Sequence, residues 1–165
     1  MRGRHRPGDR RRASRVSPRR SPYDLLGPKL YLDANLYIYL FEGAEPYRER
    51  MTRLASEIDR RQLTVIASEL MFVELLPRPL REGRRDLVER YFDLMQRTPS
   101  IVLVPVDRPV VLQAVRLRAD LGLRSMDALH LATAEVHDCD TFLTNDVRLA
   151  SVEKPQVVTL QDLDG

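Results

Sequence analysis

Cysteine occurs once in the 165 residues, as Cys139. A single thiol excludes a disulfide framework and any all-cysteine zinc site within one chain. No apolar run approaches the ~20 residues that a membrane-spanning helix requires. No apolar segment follows the basic start of the chain, as a secretory leader would demand, so the expected location is cytoplasmic. There is no glycine-rich phosphate loop and no Gly-x-Gly-x-x-Gly, which argues against nucleotide-triphosphatase and dinucleotide-binding readings.

What is present is ordinary for a soluble globular protein: 43% hydrophobic and 31% charged residues. The length suits one domain, which buries roughly 70% of the surface its unfolded chain exposes. The formal net charge of +3 is unevenly spread. Residues 1–20 hold nine arginines and one acid, Asp9, and so carry +8, leaving −5 on residues 21–165. The pI of 9.3 is therefore a property of the leading segment. Residues 1–22 contain no aromatic residue and no aliphatic residue larger than Val16. Such a segment cannot bury enough apolar surface to offset its ordering entropy, and it is expected to be a disordered Arg-rich extension. Two readings stay open: a basic arm on nucleic-acid phosphates, or a solvated extension from an early translation start. The folded domain is expected over residues 23–165.

Strands and helices alternate along that body. Lys29–Asp33, Leu63–Ala67, Ile101–Val106 and Thr141–Thr144 read as strands, with Val157–Leu160 as a fifth. Asn35–Phe41, Pro46–Arg60, Glu69–Leu76, Arg85–Gln96, a segment from Pro109 to Gly122, and Met126–His137 read as helices. Ser68 and Ser125 suit helix caps, and Pro77 with Pro79 are expected to end the Glu69–Leu76 helix. That helix, with its run LMFVELL, is apolar almost all round and is expected to be buried. The fold class is α/β, a three-layer α/β/α arrangement around a four- to five-stranded, mostly parallel sheet. On Arg85–Gln96, Leu87, Tyr91 and Leu94 form one apolar line and Val88, Phe92 and Met95 a second. Together they exceed the stripe one domain needs, so a homodimer face is expected, with Tyr91→Glu as the change that weakens it; the alternative is that a neighbouring helix of the same chain covers the second line.

Four carboxylates fit neither core nor plain surface. Asp33 ends the first strand. Glu74 lies inside the apolar helix. Asp127 sits in the first turn of its helix, and Asp146 follows the fourth strand. Ligands of parallel sheets bind beyond the carboxyl ends of the strands, where all four can converge. So many carboxylates in one partly dry site repel. An all-oxygen ligand set points to Mg²⁺ or Mn²⁺, which can activate water and hold a phosphate oxygen. Taken singly, the acids also suit plainer roles as turn formers, as a complement to a helix dipole, or, for Glu74, as the partner of a buried arginine. Arg78, Arg81, Arg84 and Arg85 cluster after the Glu74 helix, either as RNA-backbone contacts or as a solvated loop. His130, His137 and Cys139 offer at most three zinc ligands at an unfamiliar spacing. They read instead as a helix-face histidine near the acidic site, a helix-end histidine and a buried thiol.

Taken together, Tyr31-Leu32-Asp33-Ala34-Asn35, Ser68 to Glu74, Asp127-Ala128-Leu129-His130-Leu131-Ala132 and Phe142-Leu143-Thr144-Asn145-Asp146 have the order and spacing of a PIN domain. The chain resembles above all the VapC-like toxin ribonucleases, over about Leu30 to Leu160. The resemblance implies a metal-dependent endoribonuclease of a type II toxin–antitoxin pair, leaving a 5′-phosphate and a 3′-hydroxyl. By motif, Asp33, Glu74, Asp127 and Asp146 are the catalytic and metal-binding acids, with Mg²⁺ or Mn²⁺ as cofactor. Asn35 and Thr144 match the supporting polar positions. The implied partners are an RNA substrate, a VapB-like antitoxin that inserts a peptide into the acidic groove, and a second copy of the chain. The Arg-rich extension is not part of the family pattern. An RNA-processing enzyme without toxin function, or a PIN fold that binds RNA or protein without cutting, remain the alternatives. A phosphatase of the haloacid dehalogenase type is disfavoured because no Asp-x-Asp-x-Thr follows the first strand, and a receiver domain because its paired acids are missing there.

Overall fold

The computed structural model describes residues 21–43, 45–152 and 154–164, with backbone only for 150 and 151. The expected disorder of the leading segment falls, for residues 1–20, outside the described residues. Ser21 and Pro22 already belong to the fold. They open a 3-10 turn, Pro22–Leu25, in which Ser21 Oγ accepts from the Tyr23 amide and the Asp24 carboxylate from the Ser21 amide.

Among the described residues five strands form one parallel sheet: β1 (Lys29–Leu32), β2 (Thr64–Ser68), β3 (Ile101–Val104), β4 (Thr141–Thr144) and β5 (Gln156–Thr159). Their order is β3-β2-β1-β4-β5. Leu30 of β1 is in register with Val65 of β2 and with Thr141 of β4. Parallel strands covered on both faces read as continuous apolar runs, as KLYL and TVIAS do. Among the described residues seven α-helices connect and cover them: α1 (Ala34–Glu42), α2 (Tyr47–Arg61), α3 (Leu70–Leu75), α4 (Pro77–Arg81), α5 (Arg85–Arg97), α6 (Arg108–Leu121) and α7 (Ser125–Val136).

The alternation of strand residues sorts the layers. Leu32, Val65 and Ile101 face α1, α2 and α5 around a cavity of about 100 Å³. Tyr31, one residue before Leu32, faces the opposite layer, where α7 packs against α6. Ala128, Ala132 and Ala134 are fully buried, which lets α7 approach the sheet closely. Gly122 ends α6 at φ +65°, a left-handed cap that glycine adopts without strain. No helix of the described residues is long and apolar enough to cross a membrane.

Several local expectations need correction. Pro77 does end α3, but as the first residue of α4, where a missing amide costs nothing. Ser125 makes no cap hydrogen bond; it is the first residue of α7. α3 is not buried all round, for Val73 on it is 64% exposed. On α5 burial selects neither expected line whole. It takes Leu87, Tyr91 and Met95, four residues apart, and leaves Phe92 37% exposed against Phe72 of α3 at 4.8 Å between ring centres.

Candidate active site

The chain runs outward from β1 through β2 to β3, then returns to add β4 and β5 on the other side. The strand order therefore reverses between β1 and β4, and beyond their carboxyl ends lies the crevice where such sheets bind ligands. Asp33 and Asp146 stand on its two sides.

Asp33 continues the β1–β4 pairing, its amide donating to the Leu143 carbonyl at 2.9 Å. It also caps α1, with Oδ1 accepting from the Ala34 amide at 2.8 Å. Oδ2 accepts from the buried Thr144 hydroxyl at 2.6 Å, and that hydroxyl accepts from the Asp146 amide at 3.0 Å. One threonine thus fixes both acids. Burial pushes the Asp33 carboxyl up from its ordinary value, against the pull of the Thr144 hydrogen bond, of His130 and of the Ala34 amide. Asn35, in the first turn of α1, buries its Oδ1 with no hydrogen-bond partner among the described residues.

Asp146 caps a 3-10 turn, Val147–Ser151, and accepts from the Arg148 amide at 3.0 Å. The Arg148 guanidinium folds back on the same carboxylate through Nε, at 2.8 and 2.9 Å, and through Nη2. That pairing holds the Asp146 carboxyl below its usual range. Arg148 Nη2 also lies 3.9 Å from Asp127 Oδ2, and Arg124 Nε lies 3.9 Å from the same oxygen. One guanidinium is therefore shared between two of the expected acids.

Glu74 is on α3, its side chain 31% exposed, so it is not an acid stranded in an apolar interior. Its partner is a buried histidine rather than an arginine: Oε2 is 2.5 Å from His130 Nε2. His130 extends from α7 one turn beyond Asp127. The helix of Glu74 and the helix of Asp127 are thus joined by a direct polar contact. His137 and Cys139 lie at the far end of α7, where burial pushes the Cys139 thiol up to about 12.

The four acids are linked in a chain, Asp33 to Asp146 through Thr144 and Asp146 to Asp127 through Arg148, with Glu74 anchored beside them. Among the described residues no group of three or more Asp, Glu, His or Cys side chains stands close enough together to hold a metal ion. The donor set nevertheless suits a hard cation. It is all oxygen, one carboxyl is desolvated, and two others already close on a single positive charge. Among the described residues, none of the arginines singled out from the sequence pairs with these acids. Arg78 pairs with Glu82 at 3.0 Å and with Glu42 at 3.6 Å, at the end of α1 remote from Asp33. Arg84 pairs with Asp86 at 3.2 Å, and Arg81 and Arg85 are exposed. Sequence reasoning passed over Arg124 and Arg148; the only trace of them is their spacing of three and two residues from Asp127 and Asp146.

A five-stranded parallel sheet with carboxylates at its switch point defines an acidic-site α/β protein. The PIN domain family model matches residues 30–155, and the chain belongs to that family, whose members are in general nucleases. The fold is similar to a toxin–antitoxin complex from Klebsiella pneumoniae, with TM-score 0.61 and 18% identity over 79% of this chain and 97% of that one. It is similar also to VapBC2 from Rickettsia felis bound to a DNA fragment from its promoter, with TM-score 0.59 and 14% identity over 79% and 98%. FitAcB from Neisseria gonorrhoeae gives TM-score 0.58 and 17% identity over 80% and 98%. No curated protein matches the chain in sequence.

Proposed function

We propose that this chain is a metal-dependent endoribonuclease and the toxin of a type II toxin–antitoxin pair. The observation that carries the reading is the desolvated Asp33 at the switch point, joined through Thr144 to Asp146. Asp33, Asp127 and Asp146 would hold Mg²⁺ or Mn²⁺, which when bound supplies a Lewis acid for the phosphate and lowers the pKa of water. Glu74, through the oxygen that His130 leaves free, joins them or orients the attacking water. Arg124 and Arg148 stand beside the acids and can meet the phosphate backbone of a polyanion that the acids alone would repel. Arg78, Arg81, Arg84 and Arg85 remain proposed contacts farther along the RNA. The partners proposed are RNA, a VapB-like antitoxin and a second copy of the chain.

Incubation with RNA should give products ending in 5′-phosphate and 3′-hydroxyl with Mg²⁺ or Mn²⁺, and none with chelator. RNA that is bound but never cut with either ion would identify a non-catalytic module instead. Growth arrest on expression, relieved by a small DNA-binding partner from the neighbouring reading frame, would separate a toxin from an RNA-processing enzyme.

Arg148 supplies a separate measurement. Its guanidinium sits where two acids converge, so a divalent ion must compete with it. Arg148→Ala should tighten Mn²⁺ binding by roughly two- to fivefold, the range of one screened ion pair, as read by calorimetry. Unchanged affinity would show that the ion binds away from Asp127 and Asp146.

A further inference from the structure

A polar chain crosses the otherwise apolar layer between β1 and α7 and ends on Glu74. Tyr31 is fully buried in β1, two residues before Asp33, and its ring stacks on Phe142 at 5.3 Å and 5°. Its hydroxyl lies 2.6 Å from His130 Nδ1. His130 is 2% exposed, and its other nitrogen reaches Glu74 Oε2. Burying a phenol and an imidazole is costly unless both are hydrogen-bonded, and these contacts are what satisfies them.

The donors and acceptors can be assigned from chemistry. A carboxylate only accepts, so Nε2 carries the proton and donates to Glu74. With Nε2 carrying the ring proton, Nδ1 accepts, and the Tyr31 hydroxyl donates to it. The imidazole is thereby locked in one tautomer, with its ring plane set by two partners on opposite sides. Glu74 needs such an anchor. It sits on a helix of six residues, beside the exposed Val73, and among the described residues His130 is its one hydrogen-bond partner.

We propose that His130, with Tyr31 behind it, is the positioning residue of Glu74: it ties down Oε2 so that Oε1 alone is offered to the acidic site. This rests on the reading of Glu74 as part of a divalent-cation site. Groups that hold a metal's ligands from behind commonly tune affinity by 10- to 100-fold.

The test uses the full chain and Mn²⁺ alone, without RNA. The wild type should show the Nε2–H tautomer of His130 by ¹⁵N NMR before any metal is added. His130→Leu keeps the buried volume and should weaken Mn²⁺ binding by about 10- to 100-fold while remaining folded by circular dichroism. His130→Gln, whose amide can reach the same oxygen, should recover part of that loss. If His130→Leu fails to fold, Tyr31→Phe removes one oxygen only. It should release the tautomer lock and weaken Mn²⁺ binding less than His130→Leu was expected to. Mn²⁺ affinity equal to wild type in folded His130→Leu or in Tyr31→Phe overturns the assignment, as does His130→Gln behaving no better than His130→Leu. Mn²⁺ binding with the expected dependence but no RNA cleavage removes the nuclease reading and leaves His130 in place. A wild type that binds no Mn²⁺ removes both.

Discussion

Asp33→Asn should reduce RNA cleavage by about 1,000-fold or more and should raise the melting temperature of the metal-free protein. Loss of a metal-binding carboxylate removes several kcal/mol of charge stabilisation, and each 1.36 kcal/mol is about tenfold in rate. The gain in stability follows from burial. The folded chain holds the Asp33 proton more tightly than the unfolded chain does. This group's contribution is therefore intact below the unfolded pKa and is lost as pH rises through the folded one. At neutral pH the ionised carboxylate is a net cost, which asparagine avoids while its carbonyl still accepts from the Ala34 amide. Each kcal/mol relieved should appear as about 2–4 °C at this chain length. The gain should shrink when the two proteins are compared near pH 4. A melting temperature for Asp33→Asn at or below wild type at neutral pH would show that the desolvation is compensated. The same substitution at Asp127 should stabilise less, because that acid is part-exposed and has Arg124 and Arg148 within 3.9 Å.

Tyr91→Ala should cost about 3–5 kcal/mol, as removal of a large buried aromatic does, and lower the melting temperature by roughly 6–20 °C. Tyr91 is fully buried on α5, edge-on to Phe41 at 5.0 Å, with its hydroxyl donating to Glu42 at 2.7 Å. Tyr91→Glu would place an acid in that interior beside Glu42, so it should unfold the chain rather than separate two copies. Around α5, the apolar side chains left exposed and able to report association include Phe92, Val73 at 64% and Leu80 at 60% exposure. If the proposed homodimer uses it, Phe92→Glu should give a folded monomer by light scattering while Tyr91→Ala shows chiefly lost stability. A wild type that is monomeric at tens of micromolar removes the dimer.

The alternation of strands and helices could be read in advance because parallel strands, covered on both faces, leave uninterrupted apolar runs such as those around Leu30 and Val65. Asp33 and Asp146 stood out for a related reason: each is the first acid after such a run. α3 misled because hydrophobicity reports what avoids water, not what covers it; LMFVELL looks the same whether its outer side meets core or stays open, as Val73 does. The pairing of Glu74 was illegible because His130 lies 56 residues away on another element. Arg148 was missed because its reach back to Asp146 depends on the 3-10 turn that follows β4, a backbone detail that spacing alone does not carry.

The hydrogen bond from Thr144 to Asp33 spans 111 positions of the chain. A ribosome delivers residues in order, at about 5–20 per second, so roughly 6–22 s separate the emergence of these two groups. Until β4 arrives, β1 has a neighbour on one side only, and the crevice has one wall. A chain broken off between residues 75 and 140 therefore carries Asp33 and Glu74 without Asp146. If the proposed chemistry is right, unfinished copies are harmless to the RNA around them, including the message still being read. The order of synthesis thus delays the acidic site until most of the polypeptide has been made.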